Sequence, residues 1–183
     1  ASLSRVNAKQ FLLFGGSSRE AEFFNDVWSL SLQDANENKA SWQRLETSGD
    51  IPSARAGHVA AVFNNKLFIF GGQAITKENP DQARTFSDLY RLDLESLQWK
   101  RLDLGPTEGK SLFGIDQGLS GHASALVDSN LYIIAGCVGS QLTNQVLHID
   151  LSQPSARWLH PTTTAKLPAR ELHTVCAYVQ RGT

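Results

Sequence analysis

The sequence predicts an all-β fold made of repeated four-stranded antiparallel sheets. The 183-residue chain repeats itself, with the landmark glycines Gly16, Gly72 and Gly136 spaced 56 and 64 residues apart. Each repeat consists of short segments rich in Val, Leu, Ile, Phe and Tyr, divided by Gly, Asn, Asp and Pro. Nothing in the repeat reads as a helix. A period of this length is typical of stacked copies of one structural unit.

Three landmarks recur together in each copy. An apolar segment ends in two small residues, as in Phe11–Gly16, Leu67–Gly72 and Leu131–Gly136, where Ala135 replaces the first glycine. Each apolar segment is followed by an amphipathic segment and then by one tryptophan: Asn25–Leu30 with Trp42, Ser87–Leu92 with Trp99, and Asn144–Ile149 with Trp158. A further segment recurs as Arg55–Phe63, Leu119–Val127 and Arg170–Tyr178. The recurrence of these landmarks in the same order makes a chance similarity improbable.

The repeat is divided into four strands. The second strand, as in Leu67–Phe70, is apolar throughout and is expected to lie buried between neighbouring sheets, whereas the fourth, Gln98–Leu102, is polar and suits an outer edge. Asn64–Asn65 and Ser129–Asn130 predict hairpin turns between the first two strands. Because one such sheet cannot bury both faces, the copies must stack around an axis like propeller blades. The diglycine then lies where blades converge, and the tryptophan covers the gap to the next blade.

The segment that leads into the second copy carries a family resemblance. Pro52–His58 reads Pro-Ser-Ala-Arg-Ala-Gly-His, and with the diglycine strand, the Asp-(Val/Leu)-(Trp/Tyr) segment and the tryptophan it resembles the kelch repeat. The resemblance implies a kelch-type β-propeller. The third copy departs from the pattern at Leu119, Ala135 and Gln145, and the last lead, 168–173, is one residue shorter and lacks its glycine.

The blade count predicts an incomplete ring. We expect a partial blade over 10–47 that carries strands two to four, full blades over 48–104 and 112–162, and the first strand of a further blade over 168–180. Closed propellers usually have at least four blades. Two interpretations stay open: the chain is a segment of a longer propeller, which we favour, or a homodimer completes a six-bladed ring.

Composition narrows the classes of partner and the compartment. The formal net charge is −1, from 17 Lys and Arg against 18 Asp and Glu, which argues against a nucleic-acid or membrane partner. The sequence shows no bilayer-spanning apolar run, no signal peptide and only two cysteines. We therefore expect an intracellular protein, cytoplasmic or nuclear.

Motifs of catalysis are missing from the sequence. It contains no phosphate-binding loop, dinucleotide fingerprint, zinc-protease motif or Cys-x-x-Cys, so no catalytic residue and no cofactor is predicted. His58, His122 and His173 recur at equivalent places, but equivalent positions on separate blades are too far apart to share a metal ion. Two enzyme alternatives remain: an accessory propeller of a larger enzyme, or a galactose-oxidase-like propeller enzyme.

The predicted function is non-catalytic binding of a partner protein or peptide. In the kelch family, the loops between second and third strands and between successive blades share one face and commonly form the partner site. Arg55 and Arg170 match lead positions whose arginines can line the central pocket and bind carboxylates or peptide carbonyls, although each arginine could instead tie one blade to the next. The resemblance also suggests a substrate adaptor or scaffold. The further candidates are Arg19, Gln73, Lys77, Arg84 and Ser140.

Overall fold

The computed structural model describes residues 1–33, 39–76, 79–104, 118–153 and 157–177. These residues form strands and contain no helix, and hence none that could span a membrane. The strands are β1 (Ser2–Arg5), β2 (Gln10–Ser17), β3 (Phe23–Leu32), β4 (Ala40–Leu45), β5 (Ser48–Gly49), β6 (Val59–Phe63), β7 (Lys66–Phe70), β8 (Gln73–Thr76), β9 (Asn79–Thr85), β10 (Leu89–Asp93), β11 (Gln98–Leu102), β12 (Leu119–Ser120), β13 (Ala123–Val127), β14 (Asn130–Val138) and β15 (Gln141–Asp150). The predicted all-β class is confirmed.

The first sheet contains a strand that the sequence analysis missed. Its order is β1-β2-β3-β4, all antiparallel, so it begins at Ser2 and not at Gln10 as expected. Ser2 pairs with Phe14 and Arg5 pairs with Phe11. The sequence Ser-Leu-Ser-Arg offers a single large apolar side chain, and β1 is instead held through its backbone pairing with β2. The expected three-stranded first blade is therefore corrected to four strands.

The second sheet follows the prediction closely. Its order is β5-β11-β10-β7-β6, in which four antiparallel strands are joined by the short β5, parallel to β11. Asn64 and Asn65 have φ values of 46° and 55°, as a tight hairpin turn between β6 and β7 requires. The segment after Gly72, which joins the second and third strands of this copy, forms a separate hairpin from β8 and β9.

The third sheet departs from the prediction at three points. Its expected outer strand is reduced to one bridge between His148 and Leu159. The turn between β13 and β14 consists of Asp128 and Ser129, one residue earlier than predicted, because Val127 pairs with Asn130. Residues 168–177 form no strand, and residues 178–180 of the expected strand lie outside the described residues.

The sheets stack face to face through the apolar strand β7. Leu67 and Ile69 pack against Leu12 and Phe14 of the first sheet. The intervening residues of β7 face the third sheet, where Phe68 and Phe70 join a second buried cluster with residues that include Leu131, Ile133 and Ile149. Burying each of these side chains contributes roughly 1.5–3 kcal/mol. The described residues thus form three stacked sheets of an open, partial propeller.

The repeated tryptophans cover the gap to the preceding sheet, opposite to the predicted direction. The ring of Trp99 lies 5.5 Å from that of Phe14, and the ring of Trp158 lies 4.6 Å from that of Phe70, between centroids. The first sheet has no sheet before it among the described residues, and its Trp42 is 50% exposed. The outer strand therefore seals each sheet onto the one before it.

A repeated backbone hydrogen bond joins each sheet to the segment that leads into the next sheet. The N–H of the second small residue donates to the carbonyl of a lead residue at 2.8 Å in all three copies, as Gly16 to Arg55, Gly72 to Leu119, and Gly136 to Arg170. In the first two copies the first glycine leaves room for this approach, while the third copy has Ala135 at the same place with φ 55°. Gly71 has φ +67°, and a Cβ there would lie 2.5 Å from the Leu119 carbonyl oxygen.

Two equivalent histidines are buried at the same junctions. The His58 ring meets the edge of Phe14 at 5.1 Å between centroids, and the His122 ring meets Phe70 at 5.5 Å. Burial lowers the pKa of His122 to about 3. Burial, with the nearby N-terminal and Arg55 charges, lowers the pKa of His58 to about 3 as well. Both imidazoles are therefore neutral packing elements at pH 7.

We predict that Gly71→Ala destabilises the chain by about 3 kcal/mol, because the new methyl group meets the Leu119 carbonyl and the backbone is strained. The measurement is urea unfolding followed by tryptophan fluorescence. Gly139→Ala is the matched control: Gly139 also has positive φ, at 59°, but lies in an exposed turn. Its cost should stay near 1–2 kcal/mol, which is that of the left-handed conformation alone. Equal losses would contradict the close-approach argument.

We also predict that the free energy of unfolding falls as the pH drops from about 6.5 toward 3. The folded pKa values of His58 and His122 lie below the ordinary value of 6.5, so the unfolded chain binds protons first. Each histidine contributes a slope of up to about 1.4 kcal/mol per pH unit. His122→Gln should lower the slope by one such contribution in unfolding measured from pH 7 to pH 4. An unchanged slope would contradict the assignment.

Candidate functional site

A cleft opens between the first and second sheets at the end where the diglycines lie. Its volume is about 730 Å³, and its apolar surface exceeds its polar surface. The first sheet contributes the loop between β2 and β3. The other wall is the β8–β9 hairpin, a separate two-stranded sheet that connects β7 to β10 of the second sheet. The lining residues are Glu20, Ala21, Glu22 and Phe23, Ser53 and Ala54 from the connection between the sheets, and Ala74, Ile75, Arg84 and Phe86.

The wall from the first sheet is a tightly hydrogen-bonded loop. The Ser18 N–H donates to the Glu22 carbonyl at 2.8 Å, and the Ser18 hydroxyl accepts from the N–H groups of Glu20 and Glu22 at 3.2 Å each. Ala21 completes the turn with φ +57°. The loop thereby holds two exposed carboxylates, those of Glu20 and Glu22, at the rim of the cleft.

The wall from the second sheet presents one cation against an aromatic ring. In the β8–β9 hairpin, Ala74 pairs with Arg84. The Arg84 guanidinium carbon lies 5.4 Å from the centre of the Phe86 ring, and Phe86 is 5% exposed. The two sides of the cleft therefore carry opposite charge.

Arg55 lies beneath the cleft and is wholly buried, at 0% exposure. Its Nε donates to the Ser53 carbonyl at 2.9 Å and its Nη1 to the Gly71 carbonyl at 3.0 Å. The guanidinium also forms a two-pronged ion pair with Asp88, and its central carbon lies 4.0 Å from the centre of the Phe86 ring. These side-chain contacts hold Arg55 to the second sheet, while its backbone N–H and carbonyl bond to Phe24 and Gly16 of the first sheet. The two sets of contacts together favour the interpretation in which the arginine ties adjacent blades together. Because the side chain is wholly buried, the guanidinium is not open to a partner at the surface.

The other predicted residues are dispersed along the same end of the sheets. Gln73 is half-buried and its Oε1 accepts from the Ser120 hydroxyl at 3.1 Å, so it links the second and third sheets. Arg170 is exposed on the third sheet, where its Nε donates to the Pro168 carbonyl at 3.1 Å. The remaining candidates are placed as follows: Arg84 lines the cleft, Arg19 is exposed in its acidic loop, Ser140 is exposed in the β14–β15 turn, and Lys77 lies outside the described residues.

Of the ten lining residues, only Arg84 was a predicted site residue, and the nine that sequence reasoning missed include Glu20, Glu22, Ile75 and Phe86. A partial signal was available, because these four lie within or next to the loop segments singled out between second and third strands. Their convergence depends on the hairpin and on the contact between two sheets, which a single repeat does not reveal.

Nothing in the described residues forms a group of three or more His, Cys, Asp or Glu side chains that could hold a metal ion. Cys137 and Cys176 are free thiols. Burial, and the negative charge of Glu171, raise the pKa of Cys137, so its thiol is protonated at neutral pH. Its Sγ donates to the Gly139 carbonyl at 3.4 Å.

We predict that Arg55→Ala lowers the free energy of unfolding by about 3–5 kcal/mol, because it leaves Asp88 without its cation in a largely buried site. The measurement is chemical unfolding of the purified chain. Arg44→Ala is the control, since Arg44 meets Glu46 at 3.9 Å on the exposed surface, and its effect should stay within about 0.5 kcal/mol. A loss below 1 kcal/mol at Arg55 would contradict the structural role.

Comparison with known proteins places the chain among repeat proteins of one family. Leucine-zipper-like transcriptional regulator 1 of Mus musculus is 25% identical over 170 residues, which cover 91% of this chain and 19% of that protein. Acyl-CoA-binding domain-containing protein 5 of Arabidopsis thaliana is 30% identical over 129 residues, which cover 70% of this chain and 17% of that protein. The chain thus spans less than a fifth of the length of these relatives.

Solved structures show the same fold. The structure of YjhT matches with a TM-score of 0.60 and 21% identity, covering 88% of this chain and 52% of that chain. A chain from a cryo-EM structure of RAG in complex with one melted and one unmelted RSS matches with a TM-score of 0.68 and 19% identity, covering 91% and 51%. The sequence model of the KLHDC2/KLHL20/DRC7 Kelch-repeats domain matches residues 4–182. With its repeats, its stacked sheets and this match, the chain belongs to the Kelch-repeat family.

Proposed function

We propose that this chain is a non-catalytic protein–protein interaction module that binds an extended peptide segment of a partner in the cleft between its first two sheets. The observation that carries the proposal is the convergence of loops from two sheets on one apolar-floored, charge-rimmed cleft of about 730 Å³. Pockets that bind ligands have volumes of about 300–1,000 Å³ and combine apolar walls with a few polar groups.

The shape of the site favours a peptide. The cleft is open to solvent and lies on the face that carries the loops, and its floor includes the small side chains of Ala54 and Ala74. Such a floor accepts one aliphatic side chain while the backbone of the segment crosses the rim. Ile75 is an apolar side chain on the rim that is 37% exposed, and a bound segment would cover it.

The expected setting and partner class are part of the same proposal. A protein or peptide partner, without nucleic acid or membrane, agrees with a net charge of −1. An intracellular location agrees with the two free thiols. Adaptor or scaffold roles are the settings in which such a module would act.

The relatives are much longer than this chain, which favours a second function that is compatible with the first. Rho GTPase-activating protein gacHH of Dictyostelium discoideum is 30% identical over 135 residues, which cover 74% of this chain and 8% of that protein. The module would then serve as an accessory recognition domain within a longer protein that has its own activity.

We predict that Ile75→Asn weakens peptide binding about tenfold, because it removes apolar surface from the rim of the cleft. The purified chain is used to select binders from a phage-displayed library of random twelve-residue peptides. Synthetic versions of the selected peptides are then titrated by fluorescence anisotropy.

Val127→Asn is the matched control for this prediction. Val127 is 42% exposed and lies beside the turn at the opposite end of its sheet from the diglycine, so its replacement should leave binding unchanged. Selected peptides that bind the Ile75→Asn variant as tightly as the original chain would show that the cleft is not the binding site.

A further inference from the structure

We infer that the cleft selects a segment with a basic and an acidic side chain on either side of an aliphatic one, with the basic side chain against the first sheet and the acidic one against the second. This inference rests on the proposed function and names the chemistry of the partner at the same site. It differs from the sequence-based expectation, in which Arg55 and Arg170 bind carboxylates or peptide carbonyls and no acidic side chain of this chain takes part.

The first-sheet wall offers two carboxylates to a cation. Glu20 and Glu22 are exposed, and neither carboxylate has a hydrogen bond or ion pair within the described part of the chain. Their backbone is fixed by the Ser18 hydroxyl, so binding need not order the loop. A lysine or arginine placed at the rim would be attracted to these carboxylates.

The second-sheet wall offers a positioned cation to an anion. The Arg84 guanidinium lies over Phe86, while the same ring contacts the buried Arg55 guanidinium at 4.0 Å. A guanidinium above a ring face is attracted to the ring, and its N–H groups stay available to a partner. No side-chain hydrogen bond or ion pair engages Arg84 among the described residues. A carboxylate on the peptide fits this edge in a two-pronged contact.

The floor between these walls determines which kind of peptide side chain lies between the basic and the acidic one. Ala54, Ala74 and Phe86 present apolar surface at the junction of the two sheets. One aliphatic side chain of the segment fits there, and it is therefore flanked by the charged ones. Because the charges are exposed, each contributes modestly and is screened by salt, so we expect the order of charges to set selectivity more than total affinity.

The test uses the library-selected peptides and double-mutant cycles. We expect selected sequences to carry Lys or Arg on one side of an aliphatic residue and Asp or Glu on the other. Replacing either charge by Gln in the synthetic peptide should weaken binding about five- to tenfold in 50 mM salt, and less in 500 mM salt.

Matched variants of the chain assign each charge to its wall. When the chain carries Glu20→Gln and Glu22→Gln, removing the basic side chain of the peptide should not weaken binding further. When the chain carries Arg84→Gln, removing the acidic side chain of the peptide should not weaken binding further. Glu95→Gln is the control, since Glu95 is an exposed glutamate in the turn between β10 and β11. Its cycle with either peptide charge should show no coupling.

The outcomes separate the inference from the proposed function. Peptides that lose binding in Ile75→Asn but show no coupling to Glu20, Glu22 or Arg84 would overturn the charge inference and leave the cleft as the site. Coupling of a peptide carboxylate to Arg84 alone would also overturn it. No selected binder, or binding insensitive to Ile75→Asn, would overturn the proposed function itself.

Discussion

The hydrogen bond from the second small residue of each diglycine segment to the lead of the next sheet sets the architecture of this chain. It recurs at 2.8 Å in all three copies, from Gly16, Gly72 and Gly136. A bond of fixed length at the inner end of each sheet fixes how closely neighbouring sheets approach. The apolar side chains of β7 can then pack on both neighbours at once. Side-chain packing adds the energy, but this backbone contact sets the spacing that the packing needs.

In the third copy, the backbone hydrogen bonds are kept although the side chain at the equivalent position is different. Leu119 stands at the position of Arg55, yet its N–H and carbonyl keep the same two bonds, to Phe86 at 3.0 Å and from Gly72 at 2.8 Å. Its side chain is 2% exposed in the apolar cluster, where Arg55 instead carries a buried ion pair. Replacing a buried ion pair by a packed apolar residue costs little when both partners change, and Gln145 stands where Asp88 does in the repeat.

Much of the fold could be predicted from the sequence because each landmark reports a local constraint. An apolar run predicts a strand covered on both faces, and paired asparagines predict a turn with positive φ. The errors fall where the constraint is not local. β1 has a weak pattern and is held by pairing, while the direction in which Trp99 packs depends on which neighbour its strand faces. Arg55 is a further example, because the sequence of the lead segment is compatible both with a pocket residue and with a link between blades. The ion pair with Asp88 in the structure distinguishes the two.

The cleft lay beyond sequence reasoning because its walls belong to different sheets. Glu20 and Arg84 are separated by more than one blade in sequence, and each alone resembles an ordinary solvated charge. Their separation in space follows from the contact between the sheets, and Phe86 links both levels by touching Arg55 below and Arg84 at the rim. The width of the cleft is therefore set by the same junction that holds the sheets together. A peptide bound at the proposed site would therefore contact both sheets across that junction, and its binding would depend on the junction being formed.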